Sequence, residues 1–293
     1  MNRGASAGWW FSLPALLLIA VFFLLPVVAG LLLSFTDFDL YALADPANLR
    51  VIGLDNYRTL LVTPIFWQAL GNTAEFVVLG VPLSLLASLG AALLLDSRLA
   101  RFRPLLRTAL FAPVVTTLVA VALIWRYLLH TRYGLFNDLL AHFGLGPINW
   151  LGDPHWSMPS IVLLAVWKNF GYNMIILLAA LQAIPEDLYE AARIEGAGAW
   201  SRLRHVTLPM LAPTLALVAI VTVSGYFQLF AEPYVMTQGG PLQSTVSVLY
   251  YMFEQGFSWW KLGYASSVAF VLFALILLFT ALQLRLMRRL GQA

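Results

Sequence analysis

Six long apolar runs constrain this chain more than anything else in it. They lie at about 10–34, 69–95, 105–129, 160–184, 206–231 and 263–284. Each is long enough to cross the bilayer core as a helix, which takes about 20 residues. Hydrophobic residues make up 61% of the 293 and charged residues 11%. A water-soluble domain of that size has no interior large enough for so much apolar side chain, so the solvent is lipid. In lipid every backbone N–H and C=O must be paired within the protein, and runs of this length satisfy that only as helices. The sequence therefore predicts an all-α polytopic membrane protein, one transmembrane domain over residues 1–293. The first run has only Arg3 ahead of it and is too long for a signal-peptide core, so it reads as an uncleaved span.

The arginines orient the bundle. Arg3; Arg98, Arg101, Arg103 and Arg107; Arg193, Arg202 and Arg204; and Arg285, Arg288 and Arg289 all fall on one face of a six-span layout. They are eleven of the seventeen basic residues. The opposite loops hold Arg50, Arg58, Arg132 and Lys261, while Arg126 and Lys168 lie in or near spans. The excess of positive charge in cytoplasmic loops makes the arginine-rich face, with both termini, cytoplasmic.

On that face, residues 185–209 form a polar island between the fourth and fifth spans. Pro185 followed by Glu186 and Asp187 is a helix-opening pattern: proline forfeits an N–H that has no partner there, and the acids suit the positive end of the dipole. Leu188, Ala191, Ala192 and Glu195 then share a helical face, and Gly196 and Gly198 supply the backbone that ends it. A second short helix is predicted from about Ala199 through Trp200, Leu203 and Arg204 to a break at Leu208-Pro209. Such a small-faced, charge-rimmed elbow beside a bilayer is built to be gripped by a soluble partner.

The stretch from Glu190 to Pro209, EAARIEGAGAWSRLRHVTLP, resembles the EAA loop of binding-protein-dependent ABC importer permeases. Glu195 stands where an Asp is usual, and Leu203 where a Phe is common. The layout is similar to the carbohydrate type over nearly the whole chain. Its landmarks include Gly53-Leu54-Asp55-Asn56-Tyr57, Ala180-Leu181-Gln182-Ala183-Ile184-Pro185 and Gly239-Gly240-Pro241, the last resembling the first permease of the pair. The resemblance implies the type I importer permease fold in its plain six-span form, in a bacterial cytoplasmic (inner) membrane. It implies as partners a second permease subunit, a cytoplasmic ATPase dimer that uses ATP and magnesium, and an extracytoplasmic solute-binding protein. No nucleic-acid partner is expected. Glu190, Ala191, Ala192, Gly196, Leu208 and Pro209 would make the contact that couples ATP hydrolysis to transport.

Ionisable and polar groups at membrane depth are functional hypotheses by default. In the fourth span, Trp167-Lys168-Asn169-Phe170-Gly171-Tyr172-Asn173 alternates rings with hydrogen-bond donors, which suits a polyhydroxylated ligand. An alternative has Lys168 snorkelling outward and Asn169 satisfying a neighbouring helix. The fifth span carries Thr222, Ser224, Tyr226 and Gln228, with Glu232 at its outer end. By resemblance the substrate pathway takes residues from these two spans: Lys168, Asn169, Tyr172, Asn173, Tyr226 and Gln228. Lys168 sits where the maltose system is uncharged, which would favour an anionic cargo. Glu75 and Arg126 are candidates to pair with each other or with a partner subunit.

The residues also speak against other chemistry. A nucleotide-binding P-loop needs Gly-Lys-Ser/Thr, and the two lysines lie in Trp-Lys-Asn and Trp-Lys-Leu. No cysteine is present to form a disulfide, a thiolate metal site or a thiol nucleophile. The four histidines lie far apart. The reading is a transport subunit without an ATPase site, a catalytic centre or a cofactor of its own, forming the path for a sugar or related polyol. An ion-coupled secondary transporter is the alternative, and it would leave the elbow unexplained.

Overall fold

A computed structural model describes residues 3–97 and 101–289, with side chains from 11 to 97 and from 101 to 288. Among the described residues the chain is helical apart from one antiparallel bridge, Thr36 to Val51. Five helices are long and apolar enough to cross a membrane: α1 (Phe11–Leu33), α2 (Pro64–Asp96), α5 (Pro154–Gln182), α7 (Ala199–Tyr226) and α9 (Leu262–Arg289). The sixth expected span is not one helix. It is α3 (Arg103–Val115) and α4 (Leu118–Leu128), bent by 100° at Thr116-Thr117. Between α5 and α7 lies α6 (Glu186–Ile194), and α8 (Ala231–Met236) follows α7.

The start of the fifth span moved for a local reason. The break predicted at Leu208-Pro209 does not occur: the helix from Ala199 runs on through a π turn at Leu203–Thr207. Proline cannot donate to the preceding turn, and the widened turn accommodates this by having Leu208 N–H donate to the Leu203 carbonyl. The fifth span thus begins at Ala199 and ends at Tyr226, not at 206 and 231. Pro26 is carried similarly, behind a π turn at Ala20–Leu24.

Contacts group the described residues into two compact units, one from 3–67 with 251–274 and one from 68–250 with 275–289. In the first unit, Asn56 of the Gly-Leu-Asp-Asn-Tyr landmark clasps the end of α1. Its amide nitrogen donates to the carbonyls of Ser34 at 2.9 Å and Thr36 at 2.8 Å. The Tyr57 hydroxyl meets Ser34 Oγ at 2.8 Å. These bonds satisfy carbonyls that a helix end leaves orphaned.

In the second unit α5 is the central pillar. It is the most buried of the long helices, though Leu163, Trp167, Asn169 and Tyr172 are exposed. One end joins Phe76, Trp125, Met158, Ile161, Leu164 and Tyr226 in a buried cluster. The other end joins Ala92, Leu95, Met174, Leu177, Leu211 and Val218. The crossing of α5 with α3 is close at Gly171, where a Cβ would stand 2.5 Å from the Leu110 carbonyl oxygen.

Candidate functional site

The elbow folds from its own local signals. Glu186 and Asp187 occupy the first turn of α6, after Pro185. Gly196 ends it in the left-handed region at φ +81. Ala197 N–H donates to the Ala192 carbonyl and Gly196 N–H to the Arg193 carbonyl. Those two bonds define a Schellman stop, which only a residue tolerant of positive φ can make without strain. Tyr189 ties the elbow to α7 through Thr207, hydroxyl to hydroxyl at 3.0 Å.

The outer surface of this elbow is uncovered. Glu190, Ala191, Gly196 and Pro209 are exposed, while Ala192 and Leu208 are half-buried. Ile194 is 87% and Trp200 71% exposed. Both lie in a polar segment next to Glu190, Arg193 and Glu195, which is where an apolar patch most needs a protein to cover it. Of the arginines assigned to this face, Arg101, Arg103, Arg107, Arg193, Arg204, Arg285 and Arg288 are exposed and Arg202 is half-buried. Arg98 and the side chains of Arg3 and Arg289 lie outside the described residues.

Lys168 does not snorkel. It is buried, and its ammonium donates to the carbonyls of Pro113 at 3.0 Å, Val114 at 3.3 Å and Thr116 at 2.8 Å. These are the carbonyls at the C-terminal end of α3, where the third span breaks. A helix C-terminus carries partial negative charge, so a cation from the neighbouring helix caps it, adding to the bonds that Thr116 N–H and Oγ1 already donate to the Pro113 carbonyl. The sequence reading missed this pairing because the acceptors are backbone atoms more than fifty residues away.

The other pathway candidates separate into two groups. Asn169 and Tyr172 are exposed, one helical turn apart on the same side of α5. Gln228 is exposed too, and its amide donates to the Ser224 carbonyl at 3.1 Å. Asn173 and Tyr226 are buried. The Asn173 amide donates to Thr222 Oγ1 at 3.0 Å, linking α5 to α7. Tyr226 lies against Gly80, whose missing Cβ would sit 2.6 Å from its ring. The Tyr226 hydroxyl and Ser84 Oγ are enclosed with no hydrogen-bond partner among the described residues. Ser84 was not among the residues singled out from the sequence; a lone serine in an apolar run gives no signal. Arg126 donates to the Val235 carbonyl at 3.2 Å, not to Glu75, and Glu75 is exposed.

The fold defines a class: an integral membrane transport subunit. The description of binding-protein-dependent transport system inner membrane components matches residues 4–292. The lactose transport system permease protein LacF of Rhizobium radiobacter is 37% identical, over 94% of this chain and 92% of its own. The trehalose/maltose transport system permease protein MalF of Thermococcus litoralis is 34% identical, over 98% of this chain and 95% of its own. Among solved structures, a bacterial ABC transporter involved in import of the acidic polysaccharide alginate superposes with TM-score 0.82 at 22% identity, over 97% of this chain and 95% of that one. The chain belongs to the family of binding-protein-dependent transport system inner membrane components, with the type I ABC importer permease fold.

Proposed function

We propose that this chain is one of two permease subunits of an ATP-driven importer for a sugar or related polyol. Its relatives in lactose and in trehalose/maltose transport support the cargo class. The observation that carries the coupling role is the uncovered elbow, with Ile194 and Trp200 flanking Gly196. In this reading Glu190, Ala191, Ala192, Gly196, Leu208 and Pro209 dock into a cytoplasmic ATPase dimer. That dimer uses ATP and magnesium, and its closure turns the bundle between its two openings. The arginine-rich face is cytoplasmic, both termini with it, and a solute-binding protein delivers cargo on the other side.

The pathway runs beside α5, lined by Asn169 and Tyr172, with Gln228 contributed from the residues after α7; Tyr226 is packed behind it against Gly80. Asn173 holds α7 in place. Lys168 is a wall residue whose charge is committed to α3, so it gives no reason to favour an anionic cargo. An ion-coupled transporter, the alternative, is not favoured by the family.

The test is Glu190→Lys in the complex reconstituted with its ATPase and binding protein. Solute-stimulated ATP hydrolysis should disappear while the chain stays inserted. Normal uptake would remove the coupling role.

A further inference from the structure

The clasp around Asn56 forms one wall of a cavity of about 420 Å³, built only from residues 37–63 and 251–264. Asn56, Tyr251 and Tyr264 line it, each at least nine-tenths buried. The two tyrosine hydroxyls meet at 3.0 Å, with their rings edge to face at 6.3 Å. Residues fixed this firmly make a built wall, not a gap between mobile loops.

The polar groups here divide into those already engaged and those not. Asp37 is taken by Arg50, whose backbone N–H and Nε reach its two oxygens at 2.8 and 2.9 Å. Those contacts, the backbone N–H foremost, hold the Asp37 carboxyl below the usual carboxylate range. Asp39 Oδ1 accepts from the N–H groups of Tyr41 and Ala42. The Asn56 amide nitrogen is spent on the end of α1. Five lining groups remain without a hydrogen-bond partner among the described residues: Asp39 Oδ2, Asn56 Oδ1, the Thr59 hydroxyl, the Gln255 amide and the Lys261 ammonium.

That remainder specifies a chemistry. With Asp37 matched by Arg50, the remaining charges in the lining are one carboxylate and one ammonium, Asp39 and Lys261. Donors and acceptors are both present in the lining, beside the half-buried Phe38. The volume falls within the range of about 300–1,000 Å³ typical of small-molecule sites. We propose that this cavity binds a neutral polyhydroxylated solute of mono- to disaccharide size, at a site separate from the pathway beside α5. Calling the occupant cargo rests on the sugar-import reading; the binding itself does not.

The experiment is saturation-transfer NMR on the full-length chain assembled with its transporter partners in nanodiscs. Lactose and trehalose serve as neutral probes and galacturonate as the charged control. The neutral sugars should show saturable transfer that weakens roughly tenfold in the Gln255→Ala/Lys261→Met double variant, since a site built to hydrogen-bond hydroxyls loses most when its donors go. Tyr264→Phe keeps the ring and the packing, and it should give a smaller loss, which guards against simple misfolding of the double variant. Three results would overturn the proposal: no saturable response to either sugar, a response unchanged in both variants, or preference for galacturonate. Loss of solute-binding-protein docking in the double variant, without any sugar response, would assign the cavity to that protein instead. The Glu190→Lys complex should keep the sugar signal. Failure of the import reading and failure of this site are therefore separable.

Discussion

Lys168 Nζ lies 2.8 Å from the Thr116 carbonyl oxygen and caps the end of a helix that stops within the membrane. The sharp bend between α3 and α4 frees carbonyls that a continuous helix would have paired. A lysine from α5 takes three of them. Replacing it by methionine keeps the aliphatic stem and removes the donors. Lys168→Met should cost on the order of 2 kcal/mol, because the Val114 and Thr116 carbonyls lose this donor while the Pro113 carbonyl keeps Thr116. Lys168→Gln, which restores an N–H₂ group, should recover part of that. Thermal unfolding in detergent and amide exchange at residues 114–118 would read both. A methionine variant as stable as the parent would show that the bend holds itself.

Gly171 is one turn beyond Lys168 on the same face of α5, and it permits the approach that brings the ammonium to α3. The nearest neighbours of an added Cβ are backbone atoms, the Leu110 oxygen at 2.5 Å and Phe111 Cα at 3.2 Å. Backbone cannot swing aside as a side chain does. Gly171→Ala should therefore force the two helices apart and destabilise by about 1–3 kcal/mol. Combined with Lys168→Met, the loss should be less than the sum, since both changes act on the same contact. Strict additivity in the double variant would mean that the two residues act on separate features.

Asn56→Ala removes the clasp on the Ser34 and Thr36 carbonyls and should cost about 2 kcal/mol. Asn56→Asp is the sharper comparison. It has the same shape, but the oxygen that replaces the amide nitrogen faces both carbonyl acceptors, so it should be at least as damaging as alanine. If aspartate is tolerated as well as asparagine in a thermal-stability assay, the donated bonds are not what holds this end of α1.

What was legible in the sequence follows from how local each cause is. The five unbroken spans are set by composition within a window, and the elbow by Pro185, Gly196 and the acids between them. Those features read directly. The bend in the third span does not, because Pro113 alone is compatible with a continuous helix; the break is stabilised by Lys168 on another helix. Pro209 misled in the opposite sense. It suggests an end, yet a π turn carries the helix past it, a geometric remedy with no sequence mark. Asn56 could be picked out through a landmark while its acceptors, some twenty residues upstream, could not. Ser84 and Tyr226 show the same limit: which buried hydroxyls go unpaired is a property of packing.

Gly196 separates backbone strain from partner contact. An added Cβ there meets nothing within 4 Å, so in this chain only its φ of +81 opposes substitution. Asparagine tolerates the left-handed region better than other side chains, and a β-branched residue tolerates it worst. Gly196→Asn should leave the Schellman stop intact, whereas Gly196→Val should unravel it at a cost of roughly 1–2 kcal/mol. Amide exchange at Gly196 and Ala197 distinguishes the two. Coupling then supplies the second readout. If the ATPase packs directly on Gly196, the asparagine variant should lose solute-stimulated ATP hydrolysis despite a normal exchange pattern. If it only needs the elbow's shape, asparagine should retain stimulation and valine should not. Stimulation unaffected in both variants would place the contact elsewhere on the elbow, with Ile194 and Trp200 the next residues to change.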